Sequence, residues 1–239
     1  MTLIIYFDIM QTYIILGRSD KMQSIFDSFL SFDLSVFQWI QGIQNDFLDA
    51  LMVGVTTLGN AGVVFIVLGL VLLFTKKYRK AGLAVLVALL VMLLCNDLFL
   101  KEFFARVRPF NLFQSNPEKY AVWGTEYIYP ELVYKPSSYS FPSGHTSSSF
   151  SAAVAIFRNL PKKYSFAAII LASLIAFSRL YLYVHYPTDV LASVVLGVGL
   201  GVLGTSFAKK LPKGTQRIWW RGARGRQVTR DKSLLVKST

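Results

Sequence analysis

Long apolar runs set the pattern of this chain. Leu51 to Phe74, Ala81 to Leu100, Ser143 to Leu160, Tyr164 to Tyr183 and Pro187 to Ala208 each approach the roughly 20 residues that cross about 30 Å of hydrocarbon. The predicted class is all-α: a polytopic membrane helix bundle with five transmembrane helices. Ahead of them, Met1 to Leu16 is apolar but interrupted by Asp8 and Gln11, lacks the basic start of a signal peptide, and precedes Arg18 and Lys21. It can span as a sixth helix or lie flat. Ile25, Phe26, Phe29, Leu30, Val36, Phe37 and Ile40 then recur at helical spacing among Asp and Ser, which predicts amphipathic helices in the membrane interface. Three parts follow: an N-terminal apolar and amphipathic segment (1–50), a transmembrane core (51–208) with an outer loop over 102–141, and a polybasic tail (209–239).

Composition supports the membrane reading. Apolar residues make up 54% of the chain, more than a soluble core of this length would bury. The net charge of +12 would suggest a nucleic-acid partner in a soluble protein, but its placement argues otherwise. From Phe207 onward there are ten Lys or Arg against the single acid Asp231, so the tail supplies nine of the twelve charges. Such a segment directly after a final span, with Trp219 and Trp220 in it, reads as a cytoplasmic tail lying on anionic lipid headgroups. Lys76, Lys77, Arg79 and Lys80 follow the first apolar window, and Lys162 and Lys163 follow the third. The positive-inside tendency makes both loops cytoplasmic together with the C-terminus, and the alternation of spans is consistent. The protein is therefore expected to be a multi-pass cell-membrane protein. Cys95, the only cysteine, has no partner for an internal disulfide or a thiolate metal site.

The outer loop is rich in aromatic residues: Tyr120, Trp123, Tyr127, Tyr129, Tyr134 and Tyr139. They suit the headgroup boundary, either as a plain interfacial belt or as a surface met by a lipid substrate.

Polar groups at the outer ends of three spans converge on one membrane face. In the first, Lys101 and Arg108 are seven residues apart, so in a helix they share a face two turns apart, and Pro109 ends the run. Two cations on one face suit a doubly charged phosphate. Asp97, one turn before Lys101, can hold its ammonium; the bland alternative is that Lys101, Arg106 and Arg108 snorkel to the interface. The second group, Pro142-Ser143-Gly144-His145, reads as a helix N-terminus. Its N–H groups and a close-approach Gly can cradle an anion, and His145 can pass a proton to a leaving oxygen. Thr146 to Ser149 and Ser151 read as small-residue packing. The third group is Ser178-Arg179 with His185 and Asp189. Pro187 suits a first helical position, which lets Asp189 in the first turn reach back to His185. A carboxylate on one imidazole nitrogen would leave the other as nucleophile or base. Both histidines of the chain thus fall at the outer boundary beside an anion site. No carboxylate or His/Cys cluster at this face suits a metal ion, so the expected chemistry is metal-independent and needs no cofactor.

Together these groups resemble the signature of the type-2 phosphatidic acid phosphatase family, part of the acid phosphatase and vanadium haloperoxidase superfamily. Lys101 with Arg108-Pro109 looks like its first motif, Pro142-Ser143-Gly144-His145 its second, and Ser178-Arg179 with His185 and Asp189 its third. The resemblance covers about Leu51 to Phe207. It implies that Lys101, Arg108, Ser143, Gly144 and Arg179 bind phosphate and that His185 attacks phosphorus to form a phosphohistidine. His145 would protonate the leaving group and then activate water, and Asp189 would orient His185. It further implies a lipid phosphate substrate such as undecaprenyl pyrophosphate, phosphatidylglycerol phosphate or phosphatidic acid. An extracytoplasmic site fits recycling of a carrier pyrophosphate best. Two alternatives share the motifs: a lipid phosphotransferase, and a non-catalytic lipid-phosphate binder or transporter. The second leaves the nucleophile unexplained.

Overall fold

The computed structural model describes residues 21–115 and 132–210. Among them the regular elements are helical: α1 (Leu30–Ile43), α2 (Asp46–Leu58), a 3-10 turn (Asn60–Gly62), α3 (Val63–Phe74), α4 (Arg79–Met92), a π-helical stretch (Leu93–Leu100), α5 (Lys101–Phe104), α6 (Pro109–Ser115), α7 (Gly144–Asn159), α8 (Lys162–Tyr181) and α9 (Pro187–Lys210). The apolar run at the N-terminus, the aromatics Tyr120, Trp123, Tyr127 and Tyr129, and the tail beyond Lys210 lie outside the described residues.

Helix α7 is central, packed against α4, α8 and α9. Apart from Ile156, its buried residues are small: Thr146, Ser147, Ser148, Ser149, Ser151, Ala152, Ala153 and Ala155. In lipid no hydrophobic force drives helices together, so close backbone approach and interhelical hydrogen bonds must hold them. Glycines on α9 permit that approach. A Cβ at Gly197 would lie 2.7 Å from the Ser147 carbonyl oxygen, and one at Gly201 would lie 2.6 Å from that of Ser151. On its other side, Ser151 Oγ donates to the Ala88 carbonyl at 3.2 Å. Leu70, Val71, Phe74, Leu90, Ile170, Val195, Leu203 and Phe207 face outward, where lipid tails are as apolar as they are.

Among the described residues, three helical segments are long and apolar enough to cross a membrane: Arg79–Ser115, Lys162–Tyr181 and Pro187–Lys210. The pair Asp46–Leu58 and Val63–Phe74 makes a fourth if counted as one span bent by 46°. The sequence pattern predicts five spans, and two of them differ from the simple expectation. The first apolar window is broken at the 3-10 turn, where Gly62 takes φ 66°, a left-handed conformation that costs glycine little. Helix α7 has 16 residues, or about 24 Å of helix, and most of its surface meets other helices.

Helix α1 is amphipathic, as its spacing predicts, but its apolar face is turned onto the protein. Leu34, Phe37 and Ile40 are buried in one cluster with Tyr181, Leu182, Tyr183, Val184 and Tyr186, the segment that joins α8 to α9.

Candidate active site

The residues of the three motifs meet at one end of the bundle. Lys101 follows the π-helical stretch, and its Nζ lies 2.6 Å from Asp97 Oδ1. π-turns widen a helix and recur at functional positions. Here the wider turn buries Asn96, whose amide donates to Asp97 Oδ1 at 3.1 Å and whose Oδ1 accepts from Ser147 Oγ of α7 at 3.3 Å. Gly144 closes this contact between α5 and α7. A Cβ there would stand 3.3 Å from Asp97 Oδ1 and 3.4 Å from Lys101 Nζ.

Lys101 and Arg108 do not share a helical face. Helix α5 ends at Phe104, with Ala105 in the left-handed region at φ 47°, and Arg108 comes from the short non-helical link that follows. Freed from a helix, its guanidinium reaches across the site. Nε donates to the Ser138 carbonyl at 2.6 Å, Nη1 to the Val184 carbonyl at 2.7 Å, and Nη2 to Ser138 Oγ at 3.0 Å and to the Tyr139 carbonyl at 3.2 Å. Nη1 also lies 3.3 Å from His185 Nε2.

Ser143 is the N-cap of α7; its Oγ accepts from Thr146 N at 3.4 Å and from Thr146 Oγ1 at 3.0 Å. Its own N–H donates to Ser193 Oγ at 2.7 Å, which ties the cap to α9. His145, half-buried in the first turn, has Nε2 3.0 Å from Asn60 Oδ1. Gly59 lies under its ring, where a Cβ would be 2.9 Å from His145 Cδ2. The break between α2 and α3 therefore supplies both the partner and the room for this histidine. Thr56, just before the break, accepts from Arg179 Nη1 at 2.5 Å.

His185 is 2% exposed, in the segment that joins α8 to α9. Tyr183 takes φ 51° there, a conformation that strains a bulky side chain. Its N–H caps the Leu180 carbonyl, and its ring packs 5.0 Å from that of Phe37 on α1. Burial holds the His185 imidazole well below its usual range, and the cations Arg108, Arg179 and Lys101 push in the same direction. The ring is thus neutral. Because an arginine only donates, its contact with Nε2 requires the lone pair there and leaves the proton on Nδ1.

Asp189, fully buried, does not hydrogen-bond to His185; its Oδ2 is 3.7 Å from Nδ1. That oxygen accepts instead from Ser140 Oγ in a short bond and from Tyr186 N at 3.0 Å. Its Oδ1 accepts from Arg106 Nη1 at 2.5 Å. Arg106, 2% exposed, also pairs with Asp33 Oδ2 of α1 at 2.8 Å, so it is a buried bridge and does not snorkel. Burial pushes the Asp33 carboxyl up from its ordinary value, while the Thr188 N–H and Arg106 pull it back. Asp33, Arg106, Asn60, Ser138 and Ser140 are the residues at this site that motif reading does not select.

An apolar cavity of about 510 Å³ leads away from the polar cluster between α3 and α4. Ile66, Leu86, Leu89, Leu90 and Leu93 line it, and Lys101, Gly144 and His145 stand at its polar end.

The family described as "PAP2 superfamily" matches residues 80–213. The chain is 31% identical over 183 residues to an undecaprenyl-diphosphatase of Sulfolobus acidocaldarius, covering 77% of this chain and 82% of that one. It is 30% identical over 179 residues to a lipid A 4'-phosphatase of Porphyromonas gingivalis, covering 72% and 71% of the two chains. Among solved structures it resembles a transmembrane PAP2-type phosphatidylglycerolphosphate phosphatase from Bacillus subtilis, with TM-score 0.59 and 26% identity over 86% of this chain and 97% of that one. With three motifs gathered at one end of a helical membrane bundle, and with this match across its core, the chain belongs to the PAP2 superfamily as one of its multi-pass membrane phosphatases.

Proposed function

We propose that the chain hydrolyses a lipid phosphate or pyrophosphate at the extracytoplasmic face through a phosphohistidine on His185, with undecaprenyl pyrophosphate as the first-ranked substrate. The observation that carries this reading is an apolar cavity whose polar end is lined by Lys101 and His145, with His185, Arg108 and Arg179 gathered near His145 beyond it. A phosphate seated among Lys101, Arg108, Arg179 and the α7 N-terminus leaves its lipid chain along Leu86 to Leu93.

Neutral His185 attacks phosphorus through Nε2, the nitrogen that carries the lone pair. The N–P bond forms as the P–O bond to the lipid breaks, and His145, which takes up a proton when the anionic phosphate binds beside it, gives that proton to the leaving oxygen. His145 then takes a proton from water, whose oxygen displaces the imidazole and releases phosphate. Lys101, Arg108 and Arg179 offset the phosphoryl charge, the task a metal would otherwise perform, so EDTA is expected to leave the rate unchanged.

Sidedness is supported by helix direction. Every core helix that reaches the site with one end has a basic cluster at the other: Lys76 to Lys80 between α3 and α4, Lys162 and Lys163 at the start of α8, Lys209 and Lys210 at the end of α9. The five-span topology, the division at residues 50 and 208, and the basic tail on anionic headgroups are part of the same proposal. Among the curated relatives, an undecaprenyl-diphosphatase favours a polyprenyl pyrophosphate. The test is phosphate release from undecaprenyl pyrophosphate, phosphatidylglycerol phosphate and phosphatidic acid by purified protein in detergent. Release abolished by His185→Ala and fastest on the pyrophosphate is expected. New phosphate on an acceptor lipid without free phosphate would replace hydrolysis by transfer.

A further inference from the structure

The network around Arg106 holds more negative charge than its own stability calls for. Asp33 and Asp189 are both fully buried, and one guanidinium stands between them, which leaves one negative charge in excess. Asp33 is ionised by the logic of its contacts, since each is a donor aimed at it: Arg106 Nη2 at 2.8 Å, Thr188 Oγ1 at 2.8 Å and Thr188 N at 2.9 Å. Arg106 is fixed as well, with Nη1 shared between Asp189 and Thr188 Oγ1 and its plane between the rings of Phe26 and Tyr186, at 4.4 and 3.8 Å. An uncompensated buried charge is costly, and pairing one arginine with one aspartate would avoid it. Asp33 also lies on α1, outside the residues 80–213 that match the family.

We propose that Asp33 is a positioning residue for the phosphoryl-transfer step: it occupies one half of Arg106, so that Asp189 stays only partly neutralised and can offset the charge that appears on His185. The inference rests on the reading of His185 as nucleophile. When Nε2 bonds to phosphorus and the leaving oxygen departs with the P–O electron pair, the imidazole keeps its Nδ1 proton and becomes cationic. The carboxylate facing Nδ1 is Asp189 Oδ2, at 3.7 Å. If Arg106 belonged to Asp189 alone, that carboxylate would be spent before the reaction began. With Asp33 holding the other side of the guanidinium, the cluster carries one negative charge into the ground state and is neutral once the phosphohistidine forms. The N-terminal helix is then part of the catalytic apparatus.

A purely structural role is the competing account, because Asp33 also caps the N-terminus of α9 from outside through the Thr188 N–H. Asp33→Asn separates the two: it is isosteric, keeps Oδ1 as the acceptor for that N–H, and removes the charge together with the acceptor that faces Arg106 Nη2 and Thr188 Oγ1. In detergent-purified full-length protein, Asp33→Asn is expected to lower kcat by about 10- to 100-fold. KM should stay within about threefold, and pre-steady-state labelling of the enzyme should slow by the same factor as kcat. Asp33→Glu is expected to recover most of the rate. Thr188→Val, which removes a hydroxyl of the cap but no charge, should fall much less than Asp33→Asn. An Asp33→Asn protein with wild-type kcat overturns the proposal, as does a Thr188→Val protein that loses as much. If Asp33→Asn does not fold, the Glu variant carries the test, and a folded Asp33→Glu as inactive as His185→Ala overturns it too. The two readings fail separately. Full phosphate release by His185→Ala would remove the nucleophile assignment, whereas an inactive His185→Ala beside an unimpaired Asp33→Asn would remove only the role of Asp33.

Discussion

Replacing Arg108 by lysine keeps the positive charge and removes the fork. In the structure the guanidinium serves acceptors on two sides: Ser138 O, Ser138 Oγ and Tyr139 O in the loop before α7, and Val184 O beside His185 on the other. A lysine presents its donors from one atom and can serve one side at a time, so either the buried Val184 carbonyl or the part-buried acceptors of Ser138 and Tyr139 lose their partner. An unpartnered buried acceptor costs about 1 to 3 kcal/mol and the part-buried ones less, since water reaches them, so a total near 1 to 3 kcal/mol is expected. Because these contacts join the loop to the segment bearing His185, the loss falls on the active arrangement, and at 1.36 kcal/mol per decade it amounts to about 5- to 150-fold in kcat/KM. The assay is phosphate release by Arg108→Lys under subsaturating and saturating substrate, with Arg108→Ala as the charge-free reference. If Arg108→Lys kept kcat/KM within threefold of the parent, charge alone would account for the residue and the geometric argument would be refuted.

Other expectations follow from the same contacts. Gly201→Val places side-chain atoms against the Ser151 backbone, where even a Cβ would be 2.6 Å from the carbonyl oxygen; backbone cannot swing aside, so a loss of several kcal/mol or failure to fold is expected in a thermal melt. Gly199→Val, with open space around its Cβ position, should melt like the parent. His145→Ala should lose about 10²- to 10⁴-fold on a lipid phosphate and far less on an aryl phosphate, whose leaving group needs no proton; equal losses on both would remove the acid role. The buried neutral His185 fixes a sign for stability against pH. Its folded value lies below the unfolded value near 6.5, so the unfolded chain takes up a proton first on acidification. The stability it supports is complete above about pH 6.5 and is lost below it by up to about 1.4 kcal/mol per pH unit. A melting temperature that falls between pH 7 and 5 more steeply in the parent than in His185→Gln is the expected result, and parallel curves would contradict it.

The helical class and the convergence of the motifs were legible because membrane helices announce themselves by apolar length and because functional polar groups cluster at their ends. What the sequence concealed was set by contacts between distant segments. Asp33 looks like one polar residue in an amphipathic stretch, and only the fold brings it to Thr188 and Arg106. Arg106 reads as a snorkelling cation because nothing local reveals two buried carboxylates waiting for it. The helical register inferred for Lys101 and Arg108 fails at Ala105, whose left-handed turn has no glycine to signal it. The kink at Gly59 to Gly62 was hidden in an apolar window long enough to read as one span, yet it places Asn60 against His145. Glycines inside a hydrophobic run read equally well as packing residues or as breaks, and tertiary contacts decide between them.

Covalent transfer to His185 is the central claim, and a rapid-quench experiment with a ³²P-labelled aryl phosphate tests it most directly. A phosphohistidine survives alkali and is lost in acid. The account predicts an alkali-stable, acid-labile label that maps to the peptide containing His185, persists longer in His145→Ala because water is no longer activated, and is absent from His185→Ala. Phosphate release without such a label, or the same label on His185→Ala, would contradict it.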